Sequence, residues 1–401
     1  MPIASLNLPA TILIGAGASK ELPAQLKRLN AHHALIVTDP YFKQNGLADS
    51  FGVLLGQQGL AASVFAEVQP DPTDQNVLAG FATYRESGAD CVVAIGGGSS
   101  MDCAKAICLL TANPQPLRQY MGYHNVPNAG APLVCIPTTA GTGSEATRVA
   151  VITDTERHEK MMLLDGHLTP TVALIDFELS MSMPKPLTAH VGVDTLTHGI
   201  EAYVSKKANG MTDPLALSCI ALVSKNLFAA WREPQNRMAR EAMALAAFQG
   251  GAAFANASVC LVHGMSRPLG AVYHVPHGLS NAVLLPTVTR FSISASENGE
   301  DSRNSESSRA VGRYAGVARA MELAQVGDAD DVAAHKLVEG LEALNAALKI
   351  PYLRDCVNVS REVFEASLAK LAQDALASGS PQNNPVVASV EQMVALYKQA
   401  W

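Results

Sequence analysis

The sequence predicts an α/β N-terminal half organised around a parallel sheet, joined to an all-α C-terminal half. Three observations carry this expectation. From Thr11 to about Asp176, short apolar runs of strand length alternate with segments of helix length. Those runs are apolar at successive positions, as strands are when helices cover both faces of their sheet. After Pro184 the character changes to alanine- and leucine-rich stretches, residues 214–231 and 241–254 among them, in which little resembles a strand.

Taken in order, strands are expected at residues 12–14, 34–37, 91–95, 133–136 and 172–175. The first runs into the turn Gly15-Ala16-Gly17, the second ends at Asp39-Pro40, and the third enters Gly96-Gly97-Gly98-Ser99-Ser100 ahead of a helical stretch from Met101. The fourth opens into Pro137-Thr138-Thr139-Ala140-Gly141-Thr142-Gly143-Ser144-Glu145. Two prolines bracket Lys185, so a boundary is expected within 183–187, with a new helix near Thr188 and domains of 1–185 and 186–401. A cleft between two such halves is the default ligand site. Residues 294–308, dominated by serine, asparagine, aspartate and glutamate, read as a mobile surface loop.

Composition narrows the function. The chain has 401 residues, 48% of them hydrophobic, enough for a sizeable core and for two domains. Only 16% are charged and the net charge of -7 gathers into no basic stripe, which argues against a nucleic-acid partner. The first ten residues lack the basic flank and apolar core of a signal peptide, and no apolar run is expected to approach the span of a bilayer, so a cytoplasmic protein is expected. Seven scattered cysteines, without paired metal-ligand spacing, read as reduced and mostly buried thiols.

Glycines at 96–98 let a backbone approach a ligand closely, and amides at a helix start present partial positive charge to phosphate oxygens. The loop at 137–145 follows the neighbouring apolar run, and two such loops at the carboxyl ends of strands in one sheet converge on a crevice that suits a nucleotide. Asp39 lies 22 residues beyond Gly17, where a carboxylate accepts from ribose hydroxyls and disfavours a 2′-phosphate.

In the helical half, Asp194 and His198 are four apart and share one face of a helix, so they can share one divalent cation. Three more histidines, His263, His274 and His277, follow within one short glycine- and proline-rich stretch. Three imidazoles and one carboxylate suit iron(II) or zinc with a position open for a substrate oxygen. A fourth imidazole would crowd such an ion.

The stretches 96–105, 137–145, Asp194-x-x-x-His198 and 263–278 together resemble the iron-containing alcohol dehydrogenase family. The resemblance implies a Rossmann-like domain for NAD(H), a helical domain for metal, catalysis between them, interconversion of a small alcohol with its aldehyde or ketone, and a homodimer or larger homo-oligomer. It implies Asp194, His198, His263 and His277 as metal ligands, with Fe2+ favoured over Zn2+. It also implies Gly97, Gly98 and Ser99 at the pyrophosphate, Thr138, Thr139 and Thr142 in a second cofactor loop, Lys160 and Leu179 beside the nucleotide, and Asp39 selecting NAD. Dehydroquinate synthases and glycerol dehydrogenases share a related fold and are the alternative enzymatic readings; a non-catalytic metal or nucleotide sensor is a third.

Three residues are candidates for the substrate side. Family members close to lactaldehyde reductase carry a histidine four residues after the third ligand, and here that position is Arg267. A guanidinium does not shuttle protons near neutral pH, but it clamps carboxylates or phosphonates well, which points to an acid semialdehyde; the competing reading is an arginine turned away to a protein carboxylate. His274 is the candidate replacement for the missing relay, and Phe254 a candidate pocket wall.

Overall fold

A computed structural model describes residues 3–157, 159–298 and 305–401 and divides the chain into two compact units. One is Asn7–Ser182; the other is Met183–Trp401 with a short N-terminal stretch ending at Leu6. The division falls three residues before the expected one.

The first unit holds strands β1 (Thr11–Ile14), β2 (His33–Val37), β3 (Ala61–Phe65), β4 (Cys91–Gly96), β5 (Gly122–Tyr123), β6 (Leu133–Pro137), β7 (Val149–Asp154), β8 (Glu159–Leu164) and β9 (Val172–Ile175). Six of them form a parallel sheet in the order β1-β9-β6-β4-β2-β3. Its helices are α1 (Leu22–Arg28), α2 (Pro40–Gln44), α3 (Leu47–Gly56), α4 (Asp74–Ser87) and α5 (Gly98–Ala112), the last starting three residues before Met101. The unbroken apolar runs have a direct cause. Leu35, Val37, Val92, Ala94, Leu133 and Cys135 pack with Val77 of α4 and with Met101 and Ile107 of α5. Their neighbours Ala34, Ile36, Val93, Ile95, Val134 and Ile136 pack on the other face with Leu22, Leu26, Phe51 and Leu55 of α1 and α3.

Four strands escaped the sequence reading. β3 is an edge strand, exposed at Ala61 and interrupted by Ser63, so it presents no continuous apolar run. β5, β7 and β8 form a separate three-stranded sheet in which β7 and β8 are antiparallel. Burial alternates along β7, the signature of a half-covered strand rather than of the sandwiched strands sought.

The second unit is helical: α6 (Lys185–Val204), α7 (Thr212–Arg232), α8 (Arg237–Ala257), α9 (Leu261–Tyr273), α10 (His277–Asn298), α11 (Ser305–Ala320), α12 (Asp330–Ala347), α13 (Leu353–Cys356), α14 (Arg361–Ala377) and α15 (Val390–Ala400). No strand occurs in it among the described residues. Two expectations need correction. By length and composition α7 is apolar enough to cross a membrane, contrary to the expectation that no apolar run approaches that span. Its buried residues Ala216, Cys219, Ile220, Val223 and Leu227 recur in the i, i+3, i+4, i+7, i+11 pattern of one face of a helix packed in a protein core. The polar run at 294–308 is not a loop throughout, because α10 continues to Asn298 and α11 begins at Ser305; residues 299–304 lie outside the described residues. Ser292 and Ser296 are buried, and Ser296 Oγ donates to Ser292 O at 2.7 Å. Serine acts there as a small packing residue whose hydroxyl is satisfied within the helix. All seven cysteines are free thiols, six of them buried.

Candidate functional site

The two small-residue loops meet. β4 and β6 pair with Gly96 opposite Pro137, and Thr138 N donates to Gly96 O at 3.0 Å. Gly96 sits at φ +149°, and a Cβ there would fall 2.4 Å from Ser100 Oγ, so the position accepts only glycine. A Cβ on Gly97 would lie 3.5 Å from Thr139 Oγ1 and one on Gly98 3.1 Å from Thr142 Cγ2, which puts the glycine loop directly against the threonine loop. Ser99 follows in the first turn of α5.

After β2 the chain crosses to β3 on one side, and after β4 to β6 on the other, so strand order reverses between β2 and β4. Ligands of open parallel sheets bind at that reversal, beyond the carboxyl ends of the strands. Asp39 follows β2, and its Oδ2 would lie 3.8 Å from a Cβ on Gly96; Oδ1 accepts from Phe42 N at 3.2 Å and caps α2. Thr138 Oγ1 is buried without a hydrogen-bond partner, a group that a ligand oxygen would satisfy. A helix start approached by glycines, an orphaned hydroxyl and a carboxylate at the reversal fit a dinucleotide.

The route by which the sequence reached Asp39 fails, although the residue stands at the reversal. Gly15-Ala16-Gly17 follows β1 at the sheet edge, four strand spacings or roughly 19 Å from β2. Its anion-binding capacity is already used: Gly17 N donates to Asp176 Oδ1 at 3.1 Å and Ser19 Oγ to Asp176 Oδ2 at 2.6 Å.

Behind the threonine loop lies a buried ammonium. Lys105, on α5, donates to Ser144 O at 2.7 Å, Ser144 Oγ at 2.8 Å, Thr147 Oγ1 at 2.9 Å and Val149 O at 2.8 Å, and its Nζ lies 4.0 Å from Asp102 Oδ1. Asp102 accepts from Ser144 Oγ at 2.9 Å and Val151 N at 3.0 Å. Burial pushes the neighbouring Glu145 carboxyl up to about 7, against the pull of its own amide and of Lys105. Lys160, on β8, pairs with Asp71 at 2.7 Å, and Leu179, in the short turn Phe177–Ser180, packs partly buried against the core under α1 and α3.

In the second unit the separated metal candidates converge. Asp194 and His198 lie one turn apart on α6, His263 near the start of α9, and His277 opens α10. One donor atom from each lies within 4.8 Å of all the others. Asp194 Oδ1 is 3.8 Å from His198 Nε2, 3.6 Å from His263 Nε2 and 3.9 Å from His277 Nε2. Donors at about 2.1 Å from a tetrahedral ion are about 3.4 Å apart, so small side-chain shifts bring these four onto one cation. Gly278 permits the approach of α10 to α6, since a Cβ there would meet His190 O at 2.9 Å.

The electrostatics favour the same use. Burial alone would raise the Asp194 carboxyl, but His198, His277 and His263 hold it well below the usual carboxylate range. Burial pulls His263 down, yet Glu201 and Asp194 carry it up to about 8. His277 is lowered to about 4 by burial, with His263, His198 and Arg267 adding to the fall and Asp194 opposing it. The His277 side chain is still half exposed, which leaves one side of the cluster open.

Other candidates divide. Phe254 stacks on His198 with ring centroids 4.3 Å apart, so it braces an imidazole. Arg267, one turn after His263, donates from Nη1 to Ser380 Oγ at 2.8 Å and has its charge felt at His277. His274 stands apart: exposed and left-handed at φ 56°, it caps the end of α9, eleven residues or about 16 Å along the helix from His263. The crowding by a fourth imidazole therefore does not arise.

The sequence reading missed two residues here. Asn281 Nδ2 sits 2.7 Å from Asp194 Oδ1, 3.0 Å from His263 Nε2 and 3.2 Å from His277 Nε2. It lies four residues after His277, a helical spacing that was available. Glu201 accepts three hydrogen bonds, one of them from His263, and lies seven residues after Asp194 and three after His198 on the same face of α6.

Comparison with known proteins agrees with this geometry. The family model described as iron-containing alcohol dehydrogenase matches residues 9–177, and the one described as Fe-containing alcohol dehydrogenase family, C-terminal, matches residues 188–401. The chain is 37% identical over 393 residues to the NAD-dependent methanol dehydrogenase of Bacillus methanolicus, covering 98% of each chain. It is 38% identical over 397 residues to the lactaldehyde reductase of Escherichia coli, again covering 98% of each. A crystal structure of 1,3-propanediol oxidoreductase superposes with a TM-score of 0.92 at 34% identity, covering 100% of both chains. Two units, one with a glycine-threonine crevice and one with an aspartate and three imidazoles converging, thus carry the sequence of a known enzyme group: the chain belongs to the iron-containing alcohol dehydrogenase family.

Proposed function

We propose that this chain is a metal-dependent alcohol dehydrogenase that interconverts a small alcohol and its aldehyde or ketone with NAD(H). The observation that carries the reading is the convergence of Asp194, His198, His263 and His277 within 4.8 Å. When bound, a divalent cation, Fe2+ before Zn2+, would supply a Lewis acid for the substrate oxygen, and NAD(H) would supply the hydride carrier. The chain's own residues do the rest. Asp194, His198, His263 and His277 hold the cation, with Phe254 keeping the His198 ring in plane. Gly97, Gly98 and Ser99 present amides to the pyrophosphate, Thr138, Thr139 and Thr142 present hydroxyls, Lys160 and Leu179 flank the nucleotide, and Asp39 accepts from the adenosine ribose.

Arg267 gives the substrate its character. A guanidinium one turn from His263 favours a carboxylate or comparable anion at the far end of the aldehyde. The protein acts in the cytoplasm, which its seven free thiols support, and as a homodimer or larger homo-oligomer, which its family membership supports.

The test joins metal analysis of freshly purified protein to NADH oxidation with paired aldehydes of equal length, with and without a terminal carboxylate. Expected are about one iron per chain, activity lost on chelation and restored by Fe2+, and at least a tenfold higher kcat/KM for the carboxylate member that disappears in Arg267→Met. No turnover of any aldehyde by metal-loaded protein would sink the reading.

Cofactor choice is separable. Asp39→Gly removes a charge that repels a 2′-phosphate, and a change of about 1–2 kcal/mol predicts a five- to thirtyfold gain in the NADPH to NADH ratio of kcat/KM. An unchanged ratio removes Asp39 from the site.

A further inference from the structure

We propose that Glu201 is the positioning residue of the metal cluster: it holds His263 in the tautomer whose Nε2 lone pair faces the other donors, and seats the ring by capping the helix that carries it. The inference rests on the reading of Asp194, His198, His263 and His277 as a metal site.

Glu201 is on α6, two turns beyond Asp194, and is 2% exposed. Its Oε2 accepts from Cys260 N at 2.8 Å and from His263 Nδ1 at 2.7 Å, and its Oε1 accepts from Val262 N at 2.6 Å. Cys260 precedes α9 and supplies no side-chain cap, so the amides at the start of that helix need an acceptor from elsewhere. Glu201 is that acceptor. Because it comes from the helix that also carries Asp194 and His198, one carboxylate ties the start of α9 to the other half of the cluster.

The ring contact goes beyond capping. The 2.7 Å contact to Glu201 keeps a proton on Nδ1, so the nitrogen left to give up its proton and offer a lone pair to a cation is Nε2, the atom 3.6 Å from Asp194 Oδ1. A carboxylate on the far nitrogen also makes the ring a stronger donor, and loss of such partners weakens metal binding by about 10–100-fold. Two amides alone would have satisfied a cap; the ring makes Glu201 specific to His263.

The decisive variant is Glu201→Gln, which keeps size and one acceptor oxygen but turns an NH2 towards a donor. Three readouts apply to purified full-length protein. In metal-free protein with labelled histidine, NMR shows a hydrogen-bonded Nδ1 proton on His263 that the variant loses. Zn2+ titration against a chromophoric chelator shows about 10–100-fold weaker binding. Co2+-loaded protein shows a shifted visible absorption. Glu201→Asp, which retains a carboxylate, recovers part of the affinity and covers the case of Glu201→Gln failing to fold. In a His263→Ala background the same change alters Zn2+ affinity less than twofold. Parent-like Zn2+ affinity with an intact Nδ1 proton would overturn the proposal, as would equal weakening with His263 absent, which signals general disruption. A parent protein that binds no Zn2+ would instead overturn the metal reading itself.

Discussion

His263→Ala strips the protein of its metal and lowers kcat by about three orders of magnitude or more, while the fold survives. Of the four converging donors, His263 is the one gripped from both sides. Its Nε2 faces Asp194 at 3.6 Å, its Nδ1 meets Glu201 at 2.7 Å, and its ring stacks 4.8 Å from that of His198. Removing it takes away one of four donors, the one tied to Glu201, so the two imidazoles and the carboxylate that remain hold the ion more weakly and lose it on dialysis. Loss of the Lewis acid is worth several kcal/mol of barrier, and each 1.36 kcal/mol is tenfold. The fold pays less: a vacated buried ring and one lost acceptor contact at Glu201 cost about 1–3 kcal/mol, because Cys260 N and Val262 N still satisfy that carboxylate. Elemental analysis after dialysis, circular dichroism and steady-state turnover check the three parts separately. His274→Ala, at the exposed end of the same helix, is the control and should keep full metal. Full metal content in His263→Ala would leave the proposed chemistry without its centre.

What the sequence made legible divides by physical cause. Strands sandwiched between helix layers announce themselves as unbroken apolar runs, as β2, β4, β6 and β9 do, while β1, a partly buried edge strand of the same parallel sheet, was legible from its run Ile12 to Ile14. The edge strand β3 and the half-covered pair β7 and β8 carry mixed faces, which the same criterion does not register. The Asp-x-x-x-His pair was readable because helical periodicity fixes its geometry locally. Glu201 extends that periodicity by three residues, but its importance comes from a helix start about sixty residues later, which no local pattern contains. Asp39 shows the opposite case, a residue at the strand-order reversal reached through the wrong turn, since spacing along the chain does not say which strands are neighbours. Arg267 lay open between two readings, and Ser380, the acceptor of its Nη1, comes from 113 residues further along.

Lys105→Met should destabilise the protein by about 3–5 kcal/mol, the cost of breaking a buried charge network by removing one partner. The ammonium is fully buried and gathers Ser144, Thr147 and Val149, the segment that leads from the threonine loop into β7. Methionine fills most of the volume, so the loss is chiefly electrostatic: Ser144 O and Val149 O lose a donor, and Asp102 loses its nearest counter-charge. The deficit should depend on pH. Glu145 stands at about 7 instead of its ordinary 4.5, and a carboxyl raised on folding adds stability that is complete below the ordinary value and is lost as the pH rises through about 7. Lys105 opposes that rise for Glu145 and likewise for Asp102, whose carboxyl burial also raises. Without the lysine both carboxyls move further up, so the variant falls further behind the parent at pH 8 than at pH 5. Urea unfolding at the two pH values measures the difference, and NADH titration of the folded variant should show weaker binding, because Thr142 and its neighbours lose their anchor on α5. A deficit that is equal at both pH values, with cofactor affinity unchanged, would mean that Lys105 fills space behind the loop without holding its charge balance.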